Sequence, residues 1–336
     1  MDQMPEESVL SKVLNAYPLA YQPTRSTHLG SAGGYSGARF WKLVTNRGPM
    51  CLRRWPPPHP DKQQLTWIHN VITHVATSGF RLIPSPVRTN TGETFCCFEQ
   101  YLWELTPWLP GKANFWDQPG SQKLQAALSA LAGFHQAAQL HLCQDVSPGI
   151  LQRCKQLQGL IGGELDELDL SIRRHHGRWV RLADQGQQLV ELVRSVASTT
   201  LVSLQACGAF RVPLQPCLRD VWHDHILFMG EEVSGMIDLG AMRMETVAVD
   251  IARLLGSLIA DDQEAWKNGL EAYQAVRPLT EAEQIMVAAF DRSTVTLGGI
   301  LWLQWVFVEG RQFENQQAIE TRLERIITRL QFLARN

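Results

Sequence analysis

A chain of 336 residues is too long for one small domain and suits two lobes. With hydrophobic residues at 45% it can bury a large core and does not read as disordered. Lys and Arg number 31 against 33 Asp and Glu, a net charge of -2, so no basic excess is present to neutralise phosphates and nucleic acid is excluded as a partner.

Met1 to Glu7 is acidic and polar, without the positive and then apolar pattern of a secretory signal. Leu29 to Met50 reads as strand, glycine turn (Gly30 to Gly37) and second strand from Ala38 to Val44. Met50 to Trp55 predicts a third strand, ended by Pro56, Pro57, Pro58 and Pro60. Leu65, Ile68, Ile72 and Val75 share one face of a helix over 62–77, closed by Gly79. Thr94 to Leu105 predicts further strand. Two prolines and a glycine in Thr106 to Gly111 mark a boundary that should hold no regular structure. The chain is then mainly helical, over 120–141, 150–175, 180–207, 245–260, 263–274, 280–308 and 315–335. Two short segments, Val221 to Phe228 and Val233 to Ile237, interrupt the helices and form a hairpin about Gly230-Glu231-Glu232. The longest apolar run, Val295 to Val308, is broken by Gly298, Gly299 and Gln304 and is too short to cross a bilayer, so no membrane partner is expected. Seven cysteines without a C-x-x-C pair read as buried free thiols in a reducing compartment, which predicts a cytoplasmic location. The expected division is 18–107, a sheet with one helix, and 108–336, mainly helical.

The chemistry concentrates in Leu218 to Gly240. Asp220 precedes the first hairpin strand and Asp238 follows the second, and a hairpin brings its two ends together. His223, Asp224 and His225 crowd the same loop, and strand alternation would point His223 and His225 to one side. Two carboxylates and an imidazole suit a divalent cation, with one carboxylate left to take a proton from a hydroxyl. The bland reading is that these acids cap loops and helices. The glycine turn and Arg53 form a second set: turn amides approach phosphate oxygens closely, and a cation on the adjacent strand pairs with them.

These landmarks occur in the order of the aminoglycoside phosphotransferase and choline kinase-like group, which the chain resembles from about residue 20 to 330. Gly33-Gly34-Tyr35-Ser36 resembles its nucleotide loop, and Cys51-Leu52-Arg53 its third strand. Leu109-Pro110-Gly111 is similar to the segment after the interlobe hinge, and Leu131 to His135 to its Leu-Ala-x-x-His helix end. The resemblance implies a protein-kinase-like α+β fold, with a small antiparallel-sheet lobe and a larger helical lobe. It implies ATP with magnesium and transfer of the γ-phosphoryl group to a hydroxyl of a small molecule; the imidazole of His225 would suit manganese better than magnesium. Asp220 falls on the catalytic aspartate, Asp238 on the metal-binding aspartate and Asp250 on one that braces the catalytic loop. Gly33, Gly34, Ser36, Arg53, Pro107 and Leu109 become the candidate nucleotide contacts, and His225 and Asp238 the metal ligands. The sequence departs from the family at Leu218, where the family has His, and at His225, where it has Asn. Neither Gln64 nor His69 supplies the helix glutamate that meets the third-strand cation.

Two rivals stand beside this reading. One is a nucleotide-binding module without turnover, favoured by Leu218 and His225. The other is a metal-dependent hydrolase using His223, His225 and Asp238. Trp103, Trp108 and Trp116 are read as core rather than as a platform for adenine, and Trp302 and Trp305 as packing. Asp261-Asp262 is the acidic pair that a cationic acceptor would need, or plain loop solvation. The acceptor and the oligomeric state stay open at this point.

Overall fold

The structure is a computed structural model, and it describes residues 6–31, 37–57, 59–139, 143–311, 313 and 315–335. Helix α1 (Glu6–Leu14) is followed by strands β1 (Pro23–Gly30), β2 (Arg39–Thr45) and β3 (Gly48–Arg54), helix α2 (Lys62–Thr77), strands β4 (Cys96–Phe98) and β5 (Tyr101–Pro107), and helix α3 (Ser121–Ala137). The chain continues through β6 (Cys143–Val146), α4 (Pro148–Gly159), α5 (Leu165–His175), α6 (Val180–Cys207) and β7 (Arg211–Cys217). The hairpin β8 (Ile226–Met229) and β9 (Glu232–Met236) comes next, then β10 (Arg243–Glu245). Helices α7 (Ala248–Ile259), α8 (Gln263–Val276), α9 (Glu281–Leu303) and α10 (Gln316–Arg335) complete the chain.

The residues group into two compact units, Met1–Leu140 with His223–Met242, and His141–Trp222 with Arg243–Asn336. In the first, five antiparallel strands run in the order β1-β2-β3-β5-β4. Alternation along the strands puts Trp41, Leu43, Met50, Leu52, Trp103 and Leu105 in one core, which Val9, Val13 and Leu14 of α1 and then Tyr17 complete. Helix α1 was not expected from the polar start of the chain; its apolar residues recur at helical spacing only from Val9 onward. Helix α2 has the predicted bounds. Asp61 caps its first turn through the Gln64 N–H at 2.7 Å, and Leu65, Ile68, Val71, Ile72 and Val75 form its buried face. The expected strand over 94–105 is a hairpin instead, turning at Glu99 and Gln100, both at positive φ. No glycine or asparagine marks that turn. Thr106 and Pro107, expected to be irregular, are the last residues of β5, with Pro107 opposite Met50 at the end of the ladder, where a proline is tolerated. The segment after β5 and the β8–β9 hairpin group with the sheet because Lys112 bridges Phe228 and the Met236 N–H donates to Leu82 O at 2.6 Å.

In the second unit, the three-stranded sheet β10-β7-β6 was not expected, since Pro213 and Pro216 argue against a strand. Strand β6 pairs with residues 211–214 and β10 with 215–217, so each half of β7 has one partner and behaves as an edge. The helix expected over 150–175 is interrupted by a π-helical turn at Leu160–Glu164, where Gly163 has φ 131°. A second such turn, Gln304–Val308, ends α9. Helix α6 runs over the predicted 28 residues with a buried stripe from Leu182 to Cys207. It meets α9 at Gly299, where a methyl group would collide with the Leu189 side chain. Among the described residues no helix is long and apolar enough to cross a membrane. All seven cysteines are free, but only Cys207 and Cys217 are buried as expected; Cys51, Cys96 and Cys154 are half-buried, and Cys97 and Cys143 are exposed.

Candidate active site

In the first unit, Arg53 lies on β3 between Phe40 and Glu104 on the neighbouring strands, and is only 7% exposed. Its guanidinium stacks on Trp55, with Cζ 3.3 Å from the ring centroid, and Nη1 donates to Asp238 Oδ1 at 2.9 Å. Gly240 makes this stack possible, because any Cβ there would meet the Trp55 ring. The missing helix glutamate is thus replaced, and Arg53 takes its counter-charge from Asp238. His69 of α2 pairs with Glu104, Nε2 to Oε2 at 2.7 Å, and Gln64 donates to Met242 O. Arg53 Nε and Trp55 Nε1 are buried donors with no acceptor among the described residues. Arg277 Nε and Arg292 Nε are left in the same state elsewhere in the chain, so these donors are compatible with an oxyanion ligand without singling one out.

Asp238 follows β9 in a left-handed conformation, φ 59°, that non-glycine residues adopt rarely. Its position is set across the hairpin, where the Ile237 N–H donates to His225 O at 2.9 Å. Asp238 Oδ2 lies 3.7 Å from His225 Nε2, and the carboxylate side chain is 40% exposed. Burial alone would push the Asp238 carboxyl up. The Arg53 guanidinium, His225, and hydrogen bonds from Arg53 and the Gly240 N–H outweigh it and hold the group below its ordinary value. His223 and His225 do not alternate on a strand, because 223–225 is a 3-10 turn and β8 starts at Ile226. His223 instead stacks on Trp116, with centroids 3.2 Å apart. Trp103 is core, as expected, whereas Trp116 is exposed.

Gly33, Gly34 and Ser36 lie outside the described residues. Pro107 is exposed at the end of β5, and the Leu109 side chain lies against Gly235 of β9.

In the second unit, Asp250 is fully buried at the start of α7 and accepts two backbone N–H groups, Leu218 N and Arg219 N, each at 2.6 Å. This bracing holds Arg219 in the left-handed region, φ 64°, immediately before Asp220. Leu218, at the family's His position, is buried in the core. Asp220 is 47% exposed, and its Oδ1 accepts from Arg253 Nη2 at 3.0 Å. Arg253 follows Asp250 by three residues, so both lie on one face of α7. That spacing is the signal by which the sequence could have disclosed Arg253. Trp55 and Gly240 carry no such local signal.

The structure therefore brings Arg53, His225 and Asp238 together in one unit and sets Asp220 on Asp250 and Arg253 in the other. Several proteins of named activity are similar to this chain in sequence or in fold. The homoserine kinase of Agrobacterium fabrum is 23% identical over 265 residues, 77% of this chain and 74% of that protein. The homoserine kinase of Rhizobium rhizogenes is 22% identical over 278 residues, 81% of this chain and 78% of that one. Spectinomycin phosphotransferase, solved with ADP and spectinomycin, superposes with a TM-score of 0.67 at 10% identity, covering 99% of each chain. An amicoumacin kinase solved with AMP-PNP and Ca2+ gives 0.67 at 15% identity, over 98% of this chain and 93% of that one. The fold is that of the protein-kinase-like phosphotransferases, with an antiparallel sheet in the N-terminal region and helices in the C-terminal region. The profile of the phosphotransferase enzyme family matches residues 30–285, three quarters of the sequence, and the chain belongs to that family.

Proposed function

We propose that this protein transfers the γ-phosphoryl group of ATP to a hydroxyl of a small molecule in the cytoplasm. The observation that carries the reading is the Arg53–Trp55–Asp238 arrangement, a buried cation stacked on an indole, each with one unsatisfied N–H, beside a carboxylate held below its ordinary pKa. Arg53 and Trp55 meet nucleotide phosphate oxygens, and Asp220 accepts the proton of the attacking hydroxyl. A bond forms from that oxygen to the γ-phosphorus as the bond to the ADP oxygen breaks. Pro107 and Leu109, with Gly33, Gly34 and Ser36 of the glycine turn, complete the nucleotide contacts.

A divalent cation fits His225 and Asp238. Their facing atoms are 3.7 Å apart, within reach of one ion with ligand bonds of about 2.0–2.2 Å. When bound, the ion neutralises phosphate charge. An imidazole ligand suits manganese better than magnesium. Asp250 accepts the Leu218 and Arg219 N–H groups and Asp220 accepts from Arg253, and these bonds support the reading of turnover over that of a nucleotide-binding scaffold. Free thiols in every cysteine agree with a reducing compartment.

ATP with manganese or magnesium should raise the melting temperature, because a ligand that binds the folded state stabilises it. Asp238→Ala should remove the metal-dependent part, and His225→Asn should shift the metal preference toward magnesium. Absence of any shift at millimolar ATP with either metal would overturn the reading.

A further inference from the structure

The acceptor's chemistry is not given by the catalytic residues, but the surroundings of Asp220 carry a charge pattern of their own. Geometry sets Arg219 and Arg253 beside Asp220, one through its backbone and one through its side chain, and Arg153 of α4 lies close enough to be repelled by both. Arg253 is fixed by its bond to Asp220. Arg219 is fixed by its backbone, through Asp250, and its side chain makes no hydrogen bond or ion pair among the described residues. Asp250 and Arg253 share one face of α7, so the Arg219 and Arg253 side chains start from neighbouring points.

Arg153 comes from α4. The start of that helix is tied to the end of β10, where buried Glu245 accepts from Ser147 Oγ at 2.5 Å and from the Gly149 N–H at 2.6 Å. One turn on, Arg153 Nη1 lies 2.8, 2.7 and 2.8 Å from Phe290 O, Ser293 Oγ and Thr294 Oγ1, which share its two N–H groups, and its Cζ sits 4.8 Å over the Phe290 ring. All these partners are neutral, and among the described residues Arg153 makes no ion pair. Burial, then repulsion by Arg253 and more weakly by Arg219, lowers Arg153 to about 10, against partial compensation by Glu245 and Asp291.

The nearby carboxylates are committed elsewhere. Asp291 is held by Arg329 at 2.9 Å, and Glu245 by Ser147 and the N–H groups of Gly149 and Thr246. The Asp261-Asp262 pair offers no acidic pocket for a cationic acceptor: Asp261 pairs with Arg329 at 2.9 Å, and Asp262 caps α8 through the Ala265 N–H. Guanidiniums that repel one another beside an exposed carboxylate base are stabilised when an oxyanion joins them, and the planar fork of Arg matches carboxylate and phosphate oxygens.

We propose that Arg153, Arg219 and Arg253 form the acceptor's recognition site, and that the acceptor is a hydroxyl compound bearing an oxyanion, a carboxylate or a phosphate, rather than a polycation. This rests on the phosphotransferase reading for the word acceptor, but the anion site is testable without it. Binding is measured first, without ATP, by calorimetry at constant ionic strength. The probes are sulfate, D-glycerate, L-homoserine and glycerol 3-phosphate, with glycerol and spectinomycin as neutral and cationic controls. One or more of these four oxyanion-bearing probes should bind. Arg219→Met should weaken that binding roughly 10- to 100-fold, the loss expected for charge-assisted hydrogen bonds, and Arg219→Lys should restore part of it. A carboxylate and a phosphate source are told apart by which probes respond. ADP formation with ATP and each probe is measured second, and Arg219→Met should raise KM with little change in kcat. Anion binding through Arg219 without turnover keeps the anion site and removes the phosphotransferase reading. Turnover that favours the cation or the neutral compound, or anion binding unchanged in Arg219→Met, overturns the anion site alone. So does the absence of binding by all four oxyanion-bearing probes.

Discussion

Asp250→Ala tests the support of the catalytic loop most directly. The Asp250 carboxylate is fully buried and receives the N–H groups of Leu218 and Arg219 at 2.6 Å each. Hydrogen bonds to a charged group contribute about 1.5–3 kcal/mol each, so two of them set an upper range of about 3–6 kcal/mol. Truncation also removes a buried charge, and that relief offsets part of the loss. Alanine leaves two N–H groups without an acceptor in a protein interior, so the net destabilisation should be about 2–4 kcal/mol. For a unit of 150–250 residues this lowers the melting temperature by roughly 4–16 °C. Hydrogen exchange should show faster exchange at Leu218 and Arg219, since both amides lose their acceptor. Turnover should fall together with Asp220→Asn-like severity, because Arg219 at positive φ is no longer held and Asp220 follows it. A melting temperature within about 1 °C of wild type, with both amides still protected, would refute the bracing argument.

Asp220→Asn should keep nucleotide binding and cut turnover by about 10²–10⁴-fold, the usual contribution of a general base; equal turnover would remove Asp220 from that role. Gly240→Ala should destabilise the first unit by about 1–3 kcal/mol, because the new Cβ displaces the Trp55 ring from Arg53, and ATP affinity should drop with it. An unchanged urea midpoint would show that the ring yields freely. Asp238 is held below its ordinary value in the fold. Its contribution is therefore complete above the unfolded value of about 3.9 and is lost as pH falls through the folded one, so wild type should lose stability more steeply than Asp238→Asn below about pH 4. Parallel melting curves for the two proteins across that range would contradict it.

Much of this molecule is written locally in its sequence. Helix α2 is legible because Leu65, Ile68, Ile72 and Val75 repeat at helical spacing behind an Asp61 cap, and α6 because its apolar stripe runs unbroken to Gly208. The β8–β9 hairpin is legible in its glycine turn, and Asp250 in its place among the family's landmarks. Each of these signals spans a few turns of chain, where periodicity and turn chemistry act without distant partners. The tertiary structure decided the rest. Strand β7 exists despite Pro213 and Pro216 because two different strands each pair half of it, a fact about partners more than sixty and more than twenty residues away. The hairpin at Glu99 and Gln100 is fixed by β4 and β5 pairing rather than by a turn residue. Arg53 finds Asp238, 185 residues on, in place of a helix glutamate, with Gly240 clearing room for Trp55. Arg153, Arg219 and Arg253 are ordinary arginines until packing sets them in one electrostatic neighbourhood. Local propensity acts through neighbours along the chain, whereas charge and packing act through space, and only the folded chain determines which distant side chains share it.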